Sequence, residues 1–152
     1  MRFAMPLPFG RRVGALCGGL LLWSCLAGGI STAAADLVII GNPQLPADSI
    51  DSRDLKRIYL GKKSRWSDDS SVVPVMMKSG PLQDEFVTEY LDRSVNRFVT
   101  HWRQLVFTGK GVPPRSFATE NELVDFISRT PGAVGFASPG ADVADVKVLR
   151  VE

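Results

Sequence analysis

The chain has 152 residues with 18 basic and 16 acidic side chains, one histidine and two cysteines, a formal net charge of +2. That length suits one hydrophobic core, and so slight an excess of charge makes no electrostatic case for nucleic acid or an anionic membrane. The sequence contains no internal repeat and no low-complexity run.

Chain order begins with a stretch that reads as an export signal. Arg2, Arg11 and Arg12 form a positive opening, Val13 to Ile30 is apolar and uncharged, and Ala33-Ala34-Ala35 offers the small residues of a cleavage site before Asp36. Uncut, the apolar run is long enough to span a bilayer. Leu22-Trp23-Ser24-Cys25 departs from a lipid-anchor signal at the bulky Trp23, and nothing around Arg11-Arg12 adds support for a twin-arginine route. The expected division is residues 1–35 as signal peptide and 36–152 as one domain. Cleavage would leave 117 residues with 15 basic against 16 acidic side chains, a net charge of −1, because the removed segment carries three bases and no acid. Cys17 and Cys25 leave with it, so the exported domain would have no disulfide, thiolate nucleophile or cysteine-bound metal.

Asp36 to Gly41 (DLVIIG) is a short continuous apolar run ending in Gly-Asn-Pro, which predicts a buried parallel strand and a turn. Asp51 or Ser52 then caps a helix carrying Leu55, Ile58 and Tyr59, with Gly61 just past its end. A polar loop leads to a second strand, Val72 to Met77, where Pro74 predicts an edge position or a bulge because it lacks an N–H. Beyond Pro81 the spacing becomes helical, with Phe86, Tyr90 and Leu91 on one face. A further helix starts near Ser94 and turns Val95, Phe98, Trp102, Leu105 and Val106 inward. Val112-Pro113-Pro114 forbids its continuation. Thr119 to Glu122 is a capping box opening a helix with Leu123, Val124, Phe126 and Ile127 inward, stopped by Thr130-Pro131-Gly132. AVGFA and VKVLRV read as the last two strands. Strands interleaved with helices predict an α/β fold with a mostly parallel sheet.

Catalytic groups do not assemble. His101 stands alone beside Trp102 and reads as structural or surface, since a metal would need three or four ligands. Gly135 to Gly140 has the wrong spacing for a nucleophile elbow, and neither Leu60-Gly61-Lys62-Lys63-Ser64 nor Thr108-Gly109-Lys110-Gly111 completes a phosphate loop. The adjacent acids Asp68-Asp69 fit a solvated turn. No enzyme, metal or cofactor is expected.

Ile58-Tyr59-Leu60-Gly61-Lys62, Trp66, the Val-Pro-Val strand, Phe86 with Tyr90-Leu91, Trp102, Phe107-Thr108-Gly109 and Pro131-Gly132-Ala133-Val134-Gly135-Phe136 occur in an order and spacing that together resemble the periplasmic phosphate-binding proteins of ABC transporters. The likeness runs from Asp36 to about Ala137 and is nearest to their short stand-alone members. It implies a reduced version of a two-lobed periplasmic-binding-protein fold with a mostly parallel sheet flanked by helices. It also implies phosphate or a similar small oxyanion as ligand, and an ABC transporter permease or an envelope sensor as partner.

In those proteins the turn equivalent to Met76–Phe86 resembles Arg-Ser-Asp-Gly-Ser-Gly-Thr, in which hydroxyls, amides and an arginine hold the anion. Here Lys78, Ser79 and Gly80 are kept, while Pro81 removes a donor, Leu82 replaces a polar position, and Asp84 and Glu85 place charge where they would compete with an anion. The same stretch also reads as a plain capped turn. Asn42 after the first strand and Thr108 after the third helix are the other candidate ligand residues, because each ends an element with a side chain able to hydrogen-bond. An oxyanion binder predicts a concave basic pocket around Lys78. A module that kept the fold without a ligand, and serves as a protein partner, predicts an exposed apolar patch in its place.

Overall fold

The computed structural model describes residues 37–152; the expected signal peptide lies outside them. Among the described residues no helix is long and apolar enough to cross a membrane. In chain order the elements are β1 (Val38–Gly41), β2 (Ser49–Ile50), α1 (Ser52–Tyr59), β3 (Val73–Met77), α2 (Pro81–Glu89), α3 (Val95–Phe107), β4 (Arg115–Phe117), α4 (Glu120–Arg129), β5 (Ala133–Ala137) and β6 (Lys147–Val151).

Local signals place the helices. Asp51 accepts from the Arg53 amide to start α1, Ser94 accepts from Arg97 to start α3, and Thr119 and Glu122 close a reciprocal capping box on α4. Six strands form one sheet in the order β2-β6-β1-β5-β3-β4. β3 pairs in parallel with β4 and β5, and β2 with β6, whereas β1 runs antiparallel to both β5 and β6. Five strands thus share one direction and β1 opposes them. This corrects the expectation of a parallel first strand: an unbroken apolar run records burial on both faces, and burial does not depend on which way the neighbours point.

Pro74 is accommodated without a bulge, although β3 is an inner strand. Val73 donates to Gly132 O at 3.0 Å on the β5 side, so the nitrogen of Pro74 points to the other side, where pairing with β4 begins only at Val75. Gly132, with φ of +78°, could not be replaced there, because an added Cβ would sit 2.0 Å from Ser71 O.

Helices cover both faces. Gly135 of β5 lets α4 close down on one face, where a Cβ would meet Ile127 Cδ1 at 2.7 Å. On the other face Phe86 of α2 stacks on Phe136 at 4.0 Å and meets Tyr59 of α1 edge-on at 4.7 Å. The Tyr59 hydroxyl donates toward two strand carbonyls, Val75 O at 2.7 Å and Val134 O at 3.2 Å, at the level where β3 and β5 cease to pair. Burial pushes its ionisation well above the usual phenol range. α3 docks on the end of α1, where Trp102 Nε1 donates to Tyr59 O at 3.1 Å and a His101 ring nitrogen lies 3.0 Å from Leu60 O. Trp66 anchors its loop by donating to Gly132 O at 3.0 Å.

One inward assignment is corrected. Val106, expected in the core with Trp102 and Leu105, is 51% exposed and forms part of a wall on the surface.

Candidate functional site

Where β3 ends, the chain runs through Lys78, Ser79 and Gly80 into α2. The Lys78 amide donates to Phe117 O at 2.8 Å, which extends the pairing with β4 by one step and fixes where the strand stops. Gly80 then takes φ of +113°, a conformation that favours glycine, and serves as N-cap with no side chain to offer. With Pro81 at the first helical position, the amides of Leu82 and Gln83 have no acceptor within the helix. Nothing lies within 4 Å of where a Cβ at Gly80 would be.

This helix start opens beside a cleft of about 590 Å³ between the end of β3, α3 and the segment leading to β4. Among the described residues its polar lining is Lys78, Gln83, Arg103 and Ser116, with no carboxylate. Among the described residues neither Lys78 nor Arg103 takes part in an ion pair. Gln83 is 7% exposed, and its Oε1 is buried without a hydrogen-bond partner. Met76, Phe98 and Trp102 supply buried apolar surface, while Val106 and Phe107 stand exposed at the end of α3. Asp84, in the first turn of α2, is exposed and outside the lining, and the half-buried Glu85 is outside it too.

The five candidate residues do not come together. Lys78 lines the cleft, with Ser79 and Gly80 next to it in the chain at the helix start. Asn42 is at the opposite end of the sheet, because β1 runs against β3 and β5: its amide donates to Ala133 O, at the beginning of β5. Its side chain is also fully employed. Nδ2 donates to Ile127 O at 2.8 Å and Ser128 O at 3.0 Å, and Oδ1 accepts from the Gln44 amide at 2.9 Å, so Asn42 ties the first turn to the end of α4. Thr108 caps the end of α3, with its hydroxyl directed at Gln104 O at 2.8 Å and Leu105 O at 3.2 Å.

Gln83 and Arg103 were not among the sequence candidates. The signal for Arg103 was indirect: Val99, Arg103 and Val106 repeat at helical spacing beside the core stripe of Phe98 and Trp102, marking a second face of α3.

No protein-family model matches the sequence, and no curated protein does. Solved structures do. An ABC-type phosphate transport receptor from Vibrio cholerae superposes with a TM-score of 0.53 at 17% identity, over 76% of this chain and 45% of that one. PstS from Borrelia burgdorferi gives 0.58 at 16% identity, over 76% and 47%. A Clostridium perfringens protein whose structure holds a bound phosphate gives 0.59 at 17%, over 76% and 44%. The chain has the fold of the phosphate-binding receptors. It spans less than half the length of these receptors and is a reduced version of their fold. In this receptor fold the cleft described above lies at the carboxyl end of β3 and the start of α2, the region where open α/β sheets place ligands.

Proposed function

We propose that the chain is an exported binding module, not an enzyme, which holds a small oxyanion at the start of α2 on behalf of an ABC transporter or an envelope sensor. One observation carries this reading: the uncapped first turn of α2 and Lys78 open on a cleft that also holds Arg103 and has no carboxylate in its lining. Free helix amides and two cations with no ion-pair partner among the described residues favour negative charge there, and Lys78 would act as a point charge on a flexible stem with Ser79 and the Gly80 amide as neighbouring donors. The solved phosphate receptors of the same fold support the choice of oxyanion. Export draws on the arginines, apolar run and alanines of residues 1–35. It predicts that protein recovered from the cell envelope begins at Asp36, as read by mass spectrometry of the intact chain.

Thermal unfolding in phosphate, sulfate and chloride at matched ionic strength tests the binding reading. A ligand at a hundred times its Kd adds about 2.7 kcal/mol, which raises the midpoint of a domain this size by roughly ten degrees. The expected result is a phosphate-selective or oxyanion-selective rise that disappears in Lys78→Ala. Equal rises in all three salts, or a rise that persists in the variant, contradict it.

A second reading, a module of the same fold that engages a protein without a small ligand, draws on the exposure of Phe107 (93%) and Val112 (85%). It predicts no selective rise in any of the three salts.

A further inference from the structure

A site built for a bare inorganic ion surrounds it with donors, and this cleft does so on one side only. Lys78, Arg103 and Gln83 gather the polar groups, while most of the remaining lining is apolar. Its volume of about 590 Å³ falls in the range of roughly 300–1,000 Å³ typical of clefts that enclose organic ligands. Phe98 and Trp102 are 4% and 6% exposed and form fixed aromatic surface, whereas among the described residues Val106 is half exposed and Phe107 rises almost wholly into solvent. Gln83 completes this polar side. It is buried, it lines the cleft, and its Oε1 has no donor, a state that costs free energy in the empty protein. Oε1 is closed off from solvent and so from the cleft, which leaves Nε2 as the group of this carboxamide that can donate to an oxyanion there.

We infer that the occupant of the cleft is a small amphiphilic oxyanion, with its headgroup at Lys78, Arg103 and Gln83 and an aryl or short alkyl body lying on Trp102, Val106 and Phe107. The inference rests on the anion-binding reading above and narrows its ligand. Charge complementarity fixes the head, since the lining carries two cations and no acid. Burial of apolar surface fixes the body, since each CH₂ removed from water strengthens binding roughly fourfold.

Isothermal titration of the protein with inorganic phosphate, phenyl phosphate, benzoate and phenol at constant ionic strength tests it. Phenyl phosphate is expected to bind at least about tenfold more tightly than inorganic phosphate, and phenol, which has the body without the charge, to give no saturable heat. Benzoate separates a carboxylate from a phosphate headgroup, and tighter binding by either aryl anion than by phosphate supports the inference. Phe107→Ser changes a side chain that is 93% exposed and so leaves the core intact. It should erase most of the aryl advantage while leaving phosphate affinity unchanged. Equal affinity for phosphate and both aryl anions overturns the inference and leaves the anion site standing. Absence of binding by every anion overturns the anion site itself. Should Phe107→Ser instead abolish a concentration-dependent dimer seen by sedimentation, with no effect on the titrations, the wall is a contact between copies and the inference fails.

Discussion

Replacing Gln83 by methionine isolates what the orphaned carboxamide does. Gln83 sits in the first turn of α2 at 7% exposure, and its Oε1 is removed from water without receiving a hydrogen bond. Leaving a buried acceptor unsatisfied costs about 1–3 kcal/mol, and methionine matches glutamine in length and absence of branching while having no such group to satisfy. Gln83→Met should therefore stabilise the protein by about 1–2 kcal/mol, which for a domain of this size raises the thermal midpoint by roughly four to seven degrees. Chemical denaturation should show the same gain as a higher midpoint at unchanged slope. Phosphate affinity should fall in the same variant, since a group that destabilises the empty protein and serves the ligand links a gain in one to a loss in the other. A lower or unchanged midpoint would refute this reasoning, because it would mean that Oε1 is already satisfied in the empty protein.

Three further outcomes follow from the packing. Tyr59→Phe withdraws the hydroxyl from Val75 O and Val134 O where β3 and β5 part, and should destabilise by about 1–3 kcal/mol in urea unfolding. Asn42→Ala breaks the ties to Ile127, Ser128 and Gln44 and should cost about 2–4 kcal/mol, yet leave phosphate affinity in the folded protein unchanged, because Asn42 is at the far end of the sheet; titration of the variant checks this. The hydrogen bond from Lys63, aided by the charges of Lys63 and Arg57, holds the Asp54 carboxyl below its ordinary value of 3.8, and a hydrogen bond from Lys147 does the same for Asp48. A depressed carboxyl contributes stability that is present above its unfolded value and lost as pH falls through its folded one. Unfolding midpoints measured from pH 6 to pH 2 should therefore drop below about pH 4, and Asp54→Asn should flatten that drop without altering the slope at neutral pH.

The parts of this fold that were legible in the sequence are those decided within a few residues. Asp51, Ser94 and Thr119 start their helices through their own side chains, and Gly61 follows α1 with φ of +70°. Pairing partners are decided by distant chain. That is why the direction of β1 was misread, and why β2 and β4, two and three residues long, left no local signal of their own. The site divides along the same line. Lys78 was legible because a basic residue and a glycine between strand and helix are adjacent in sequence. Gln83 and Arg103 gain meaning only when α3 is laid against the end of β3. Asn42 carried a side chain suited to a ligand, but the antiparallel course of β1 gave that side chain to the end of α4. Val106 shared the period of its core neighbours, yet it lies on the cleft side of α3 and is 51% exposed.

The most direct test of the central claim is isothermal titration of the protein with phosphate, alongside Lys78→Ala and Arg103→Ala. Both cations line the cleft and neither enters an ion pair among the described residues, so removing either one leaves no partner unsatisfied. One saturable site is expected, weakened about tenfold or more by each substitution, as the loss of a charge-assisted hydrogen bond of about 1.5–3 kcal/mol requires. Saturable binding that neither substitution alters would place the anion elsewhere, and no saturable binding at all would contradict the claim that this cleft holds one.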